Sequence, residues 1–423
     1  MSINPTRVDC ALGLDFGTSG ARASLIDAAD AQLYEASVTF PRNDWPSWLA
    51  ALWQLLGAVP VELRGRIQAI ALCGTSATSL LCDATGQPLL PALLYNDGRA
   101  QAEAAQICGL PAAESPTSSL AKLLWFAQQP EFSRARYFLH QADWLAFQLH
   151  GVAGVSDYHN CLKLGYDVAA LRYPAWFDGR PIAALLPQVL VPGAAVAAIR
   201  PGLAQRFGLP DDCVVRAGTT DSIAAFFASG ACLPGQAVTS LGSTLVLKLL
   251  STQRVDDPRY GIYSHRCGDR WLAGGASNCG GAVLEGIFGR QRLVELSARI
   301  DPARRSGLDY YPLPCTGERF PINDPELLPR LLPRPADDAL YLQGLLESLA
   351  AIEARGYQLL MQLGATPVRV VLTAGGGAAN PAWNALRQRA LGVPVRPAQQ
   401  AEAAYGAALL AAHGERLLYC TVV

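Results

Sequence analysis

Apolar residues come in short blocks separated by turns bearing glycine, serine and threonine, and the period of the blocks changes along the chain. Ala11 to Leu14 is an uninterrupted apolar run, the pattern of a buried strand. Phe16 to Gly20 is a Gly/Thr/Ser turn and Ala21 to Ile26 reads as a second strand, which predicts a β-hairpin with a polar, glycine-bearing tip. A third strand is predicted around Tyr34 to Phe40. Between Trp45 and Val59 the positions Trp48, Leu52, Leu55 and Leu56 recur at helical spacing. A strand from Ile67 to Cys73 runs into Gly74-Thr75-Ser76-Ala77-Thr78. Helical patterns return at Ser119 to Gln128 and at Gln141 to Leu149. Strands alternating with helices predict an α/β class.

The second half repeats the plan. CVVRAGTTDSIAAFFASG, from Cys213, is a strand, a polar turn and a helix from about Ser222. VTSLGSTLVLKLLS places a second Gly/Ser/Thr turn between two apolar strands. The strand–GTS–strand unit near residue 17 thus has a counterpart, strand–GST–strand, near residue 242, which points to two similar halves each offering one polar hairpin. VRVVLTAGGGAANPAWNALRQRALG is a strand, a glycine turn and a helix. AEAAYGAALLAAHG is an Ala-rich helix with small residues suited to close packing.

Composition narrows the classes. The chain has 423 residues, 51% apolar and 16% charged, enough for two or three domains with large cores and incompatible with disorder. Lys plus Arg is 34 against 35 for Asp plus Glu, a net charge of −1, so no broad basic field for nucleic acid exists. The eleven cysteines are scattered without C-x-x-C and read as reduced thiols packed as small apolar residues in a cytoplasmic protein. The first residues carry no long apolar stretch of a signal peptide. Pro181 to Ile199 is uncharged and long enough to span a bilayer, but Pro181, Pro187, Pro192 and Gly193 interrupt it, which predicts a short helix, a turn and a strand of a soluble core instead.

Three segments carry candidate chemistry. In Asp15-Phe16-Gly17-Thr18-Ser19-Gly20, consecutive backbone N–H groups with Thr and Ser hydroxyls can cradle phosphate oxygens, and Asp15 can hold a hydrated Mg²⁺. An ordinary hairpin turn would look the same taken singly. Gly375-Gly376-Gly377 follows an apolar strand and opens a helix near Pro381, so a flat ring or phosphate can lie on backbone there. It matches neither G-x-x-x-x-G-K-[ST] nor G-x-G-x-x-G. Asp221, between a strand and a helix, is either a helix cap or a functional carboxylate. Asp83, Asp167 and Asp269 read as turn residues.

In order along nearly the whole chain, LGLDFGTSGARA, LLYNDGRA, AGTTDS, SLGST and TAGGGAANPAW resemble the motifs of FGGY-family sugar kinases, within the actin, hexokinase and heat-shock-chaperone superfamily. SVTFP, GTTDSIAAF, SDYHNCLKLGYD, GGASNCGGA and SGLDYYPLP are similar to stretches of the small D-ribulose kinases of cyanobacteria and plants. The resemblance implies two ribonuclease-H-like α/β domains around a central cleft: residues 1–225 for sugar and first phosphate hairpin, and 226–423 for nucleotide, with the last helix packing back at the hinge. It implies ATP and Mg²⁺, a small-molecule sugar, and no nucleic-acid or membrane partner. It leaves the oligomeric state open.

Carried over residue by residue, the resemblance makes Asp221 the catalytic base and Asp15 the magnesium residue, also near the sugar. Thr18 and Ser19 meet the transferring phosphoryl group. Gly242, Ser243 and Thr244 face nucleotide phosphates. Gly375, Gly376, Gly377 and Asn380 cradle adenosine, with Trp383 beside the base. Arg22 and Ser76 are expected at the sugar, and Asp97 serves either the sugar or its own turn. The G-Q-M-H-G of xylulose kinases reads here as Gly74 to Thr78, without the methionine and histidine, which favours D-ribulose over D-xylulose. A non-kinase ATPase of the superfamily would need no base at Asp221 and no polar GTSAT and YNDGR segments.

Overall fold

The computed structural model describes residues 8–419. The expectation of no signal peptide draws on residues 1–7, and these, like Cys420, lie outside the described residues. The chain divides into two compact units. The first takes the residues up to 228 together with those from 402 on, and the second is 229–401.

Among the described residues, the first unit holds a seven-stranded sheet. Its order is Gln32–Thr39, Gly20–Asp27, Cys10–Phe16, Ile67–Gly74, Val214–Arg216 and Ala195–Ala198, with Thr219–Thr220 also on Ile67–Gly74. The first three strands form an antiparallel meander, while Cys10–Phe16, Ile67–Gly74 and Val214–Arg216 are parallel. Cys10–Phe16 is buried at every position, Asp15 included, and its apolar run Ala11 to Leu14 fits a strand covered on both faces. Gln32–Thr39 alternates between half-buried and exposed, the pattern of an edge. Helix Trp45–Ala58 starts where Asp44 accepts from Ser47 N, and it buries Trp48, Leu52, Leu55 and Leu56 against the sheet. Pro181–Leu185 is a 3₁₀ turn, and Gln188–Leu190 and Ala195–Ala198 are strands. No helix among the described residues is long and apolar enough to cross a membrane.

The Ala-rich helix Ala403–His413 packs into this first unit with backbone against backbone. A Cβ on Gly13 would lie 2.1 Å from Ala404 O and from Ala408 N, and a Cβ on Gly406 would lie 1.8 Å from Ala224 O. The helix therefore rests directly on strand Cys10–Phe16 and on helix Asp221–Ala228.

The second unit repeats the sheet plan: His265–Cys267, Arg270–Ser277, Leu245–Ser251, Gln236–Leu241, Val370–Ala374 and Val395–Pro397. The last three strands are parallel and the rest antiparallel. Helix Asp338–Gln362, 25 residues long, crosses this sheet. No element is assigned there from the sequence, although Leu342, Leu345, Leu346, Leu349, Ile352 and Leu360 recur at helical spacing and are all buried. A buried network ties it to the sheet. Arg387 donates through Nε and Nη2 to Glu353 at 2.6 and 2.7 Å and through Nη1 to Thr373 Oγ1 at 2.7 Å, while Thr239 Oγ1 donates to Glu353 at 2.5 Å.

Gly406→Ala forces a methyl into a space that Ala224 O occupies. It should lower Tm by about 3–10 °C, whereas Gly202→Ala, with nothing within 4 Å of the new methyl, should leave it unchanged or slightly raised. Thermal unfolding of both variants checks this; equal Tm values would refute the close contact.

Candidate active site

In the first unit the parallel strands bring their carboxyl ends to one edge of the sheet, and polar side chains gather there. Register sets Asp15 beside Cys73 and Cys73 beside Thr219, and Asp221 follows as the first residue of its helix. Asp15 is 7% exposed. Burial pushes its carboxyl up, the negative charge of Asp221 adds to this, and the result is about 7. Cys73 Sγ donates to Asp15 Oδ1 at 3.4 Å and opposes the rise. Asp221 is half-buried, and its Oδ1 accepts from Ser222 N at 2.6 Å. A buried carboxyl whose proton affinity is raised by its desolvation and by a neighbouring carboxylate is suited to facing a cation.

The other first-unit residues surround this edge unevenly. Thr18 and Ser19 are exposed at a hairpin tip closed by Gly17 N donating to Gly20 O at 3.0 Å. Arg22 is the register partner of Asp15 and forms an exposed ion pair with Glu402 at 2.9 Å. Ser76 is half-buried, next to Ala77, whose φ of 67° is left-handed. Asp97 accepts from Arg99 N at 3.1 Å and Arg99 Nε at 2.9 Å. Burial raises its carboxyl, but the Arg99 bonds outweigh this and hold it below the usual value.

Two residues that the sequence pattern does not single out organise this region. Lys122 is fully buried, and its Nζ donates to Ala77 O at 2.8 Å and Leu94 O at 2.6 Å, joining the Gly74–Thr78 turn to the stretch before Asp97. Burial lowers its ammonium to about 7. Gln141 Oε1 accepts from Thr75 N at 3.0 Å and from Thr75 Oγ1 at 2.9 Å. Ser119, His140 and Asp143 stand at triad-like distances of 3.0 and 2.9 Å, but Ser119 is wholly buried and serves as scaffold.

In the second unit the turn Gly242–Thr244 joins its two strands. Gly281 N donates to Gly242 O at 2.8 Å, and a Cβ on Gly280 would lie 2.4 Å from Ser243 O, so helix Gly281–Phe288 begins directly against the turn. The loop before it is held by Glu318, which accepts from Ser277 Oγ at 2.5 Å and Asn278 N at 2.8 Å. Gly375, at φ 85°, admits no side chain because a Cβ would lie 2.7 Å from Leu241 O. Asn380 caps helix Pro381–Leu391 by accepting from Trp383 N at 3.0 Å, and it donates to Ser297 Oγ at 2.9 Å.

These elements enclose a cavity of about 660 Å³, within the range of small-molecule sites. Gly242, Ser243, Gly376, Gly377, Asn380 and Trp383 line it, and Leu293, Leu342 and Leu346 supply apolar wall; Thr244 and Gly375 are not among the lining residues. Trp383 is almost fully buried, its ring packed under Gly377, and its Nε1 has no hydrogen-bond partner among the described residues.

The sequence profile of the FGGY family of carbohydrate kinases, N-terminal domain, matches residues 10–228, and that of its C-terminal domain matches 237–415. The chain belongs to this family.

It is 28% identical to a xylulose kinase of Streptomyces coelicolor over 437 aligned residues, covering 95% of this chain and 87% of that one. A Brucella ovis structure described as a "xyloylose kinase" superposes with a TM-score of 0.87 at 26% identity, covering 96% of this chain and 90% of that chain. A xylulose kinase structure from Rhodospirillum rubrum gives 0.83 at 22% identity, covering 97% and 92%. The fold is the mixed α/β two-domain fold of these sugar kinases.

The FGGY residues suit a magnesium ion. Asp15 is a buried carboxylate destabilised by Asp221, a repulsion that a cation would relieve. Mg²⁺ needs only one or two protein carboxylates beside water and phosphate, which agrees with there being no cluster of three or more His, Cys, Asp or Glu ligands among the described residues.

The proton on Asp15 gives a pH test. Its folded value of about 7 lies above the ordinary 3.8, so the native protein keeps the proton where the unfolded chain releases it. The associated stability is whole below about pH 3.8 and is lost as pH rises through about 7. Asp15→Asn should therefore raise Tm over wild type more at pH 8 than at pH 5. Thermal melts at both pH values check this, and an equal gain at both would disprove it.

Proposed function

We propose that the protein is an ATP-dependent pentulose kinase that transfers the γ-phosphoryl group of ATP to the terminal O5 of D-ribulose, giving D-ribulose 5-phosphate. The observation that carries this reading is the Asp15–Asp221 pair at the carboxyl ends of the parallel strands, in a family of carbohydrate kinases.

In this reading Asp221 is the base. Its carboxylate orients the acceptor hydroxyl and takes its proton as the bond from oxygen to γ-phosphorus forms and the bond from γ-phosphorus to the β,γ-bridging oxygen breaks, releasing ADP. Asp15 would hold a hydrated magnesium ion, which would neutralise charge on the phosphate oxygens. Thr18 and Ser19, exposed at the hairpin tip, offer N–H and O–H donors to the transferring group. ATP lies in the 660 Å³ cavity, with Gly242 and Ser243 toward its phosphates and Gly376, Gly377, Asn380 and Trp383 around its adenosine, while Thr244 and Gly375, which do not line the cavity, shape the two turns. Ser76, Arg22 and Asp97 lie toward the sugar.

D-ribulose is favoured by Gly74-Thr75-Ser76-Ala77-Thr78 in place of the G-Q-M-H-G of xylulose kinases. D-xylulose is the second reading, favoured by relatives that are themselves named xylulose kinases. A coupled ADP-release assay across ketopentoses, aldopentoses, pentitols and glycerol separates them. D-ribulose should give the highest kcat/KM; a tenfold advantage of D-xylulose, about 1.4 kcal/mol of transition-state discrimination, would install the second reading.

Asp221→Ala should cut sugar-dependent turnover by roughly 10²–10⁴-fold, the usual worth of a positioned proton acceptor. ATP binding should persist. Tm should not fall, because the substitution removes a charge that Asp15 opposes. A folded Asp221→Ala protein retaining more than about a tenth of wild-type turnover would remove Asp221 from the reaction.

A further inference from the structure

Two buried polar groups next to Gly74 have no hydrogen-bond partner among the described residues. Gln141 is 1% exposed, and its amide orientation is set by Thr75, whose N–H and hydroxyl both donate to Oε1. Nε2 therefore turns away from Thr75, and it has no hydrogen-bond partner among the described residues. The amide lies against the backbone of Gly74, where a Cβ would come within 2.9 Å of Gln141 Oε1. Thr220 pairs in register with Gly74, is fully buried, and its Oγ1 likewise has no partner among the described residues. The neighbouring Thr219 differs, since its hydroxyl is engaged by His159 Nδ1 at 2.8 Å.

A buried donor or acceptor left unmade lowers stability, so such atoms are few in folded proteins and each calls for a reason. Here one donor belongs to an amide that lies against, and one hydroxyl to the register partner of, the same glycine. They stand at the strand ends that carry Asp15 and Asp221, since Gly74 follows Cys73, the register partner of Asp15, and Thr220 precedes Asp221. An alcohol both accepts and donates, which matches an amide N–H on one side and a threonine oxygen on the other.

We propose that Gln141 Nε2 and Thr220 Oγ1 form a sugar-recognition pair that takes one secondary hydroxyl of the acceptor, and that they determine which ketopentose is accepted. This rests on the pentulose-kinase reading and adds its specificity determinants. A hydroxyl of the right configuration completes both hydrogen bonds; its epimer leaves both groups buried and unmade, and a site built this way discriminates strongly. D-ribulose and D-xylulose differ only in configuration at C3, so the pair is a means of separating them.

The test is steady-state kinetics of Thr220→Val, Thr220→Ser and Gln141→Met against D-ribulose, D-xylulose and ATP, with thermal melts of each variant. Thr220→Val is nearly isosteric and removes a hydroxyl without a protein partner, so its Tm should equal or exceed that of wild type while KM for the preferred ketopentose rises at least tenfold. KM for ATP should stay within twofold, and the kcat/KM ratio between the two epimers should shrink at least fivefold. Thr220→Ser keeps the hydroxyl and should stay within threefold of wild type in every parameter. Gln141→Met should follow Thr220→Val in kinetics. A Thr220→Val enzyme with unchanged sugar KM and epimer ratio overturns the proposal, as does one whose KM for sugar and KM for ATP rise together. Wild-type protein inactive on every ketopentose removes the underlying reading instead, and this outcome is distinct because it appears before any variant is made.

Discussion

Helix Ala403–His413 approaches the first sheet so closely that no side chain fits between them at Gly13 or between the helix and Ala224 at Gly406. Everything at the carboxyl edge of that sheet follows from this spacing. The helix covers the sheet beside Asp15 and Cys73 and fixes the position of helix Asp221–Ala228, so two carboxylates from distant segments share one neighbourhood. Side chains between the elements would hold them further apart and weaken both the burial and the repulsion from Asp221 that raise Asp15. Ala407 and Ala408, both wholly buried, continue the contact and leave little room for adjustment.

The second unit reaches similar rigidity by another route. Its long helix and the helix after the glycine run are joined to neighbouring strands by a desolvated carboxylate and guanidinium, Glu353 and Arg387, bonded bidentately. Thr239 and Thr373 are register partners on adjacent strands, and each donates or accepts within the same network. Burying two charges is costly unless their lone pairs and protons find partners, and here Thr239 donates to Glu353 while Thr373 and Asn384 accept from Arg387. The strands that lead into the Gly242–Thr244 and Gly375–Gly377 turns are thus held from behind.

The parts of the molecule visible in the sequence are those whose signal is local. The hairpins tipped by Thr18 and Ser243 announce themselves by small polar residues between apolar runs, and the glycine run does so by following a strand and preceding Pro381. Asp221 stands out only because a strand and an apolar helix bracket it. Gln141 and Lys122 give no such signal: each lies in an ordinary helical pattern, and its partners Thr75 and Ala77 are 66 and 45 residues away. Gly280 and Gly281 are visible as a pair, but their role against Ser243 depends on the pairing of strands that precede them.

The order in which the chain is made has a bearing on how the first unit matures. Strand Cys10–Phe16 leaves the ribosome before residues 229–401, and the helix that covers it leaves after them. The second unit is continuous in sequence and has all its strands before the covering helix exists. The nascent first sheet must therefore wait, with Gly13 and its neighbours uncovered, until helix Ala403–His413 has emerged. A chain stalled or truncated near residue 400 would carry a finished second unit and a first unit without its lid on the apolar strand, a species marked out for chaperones or aggregation.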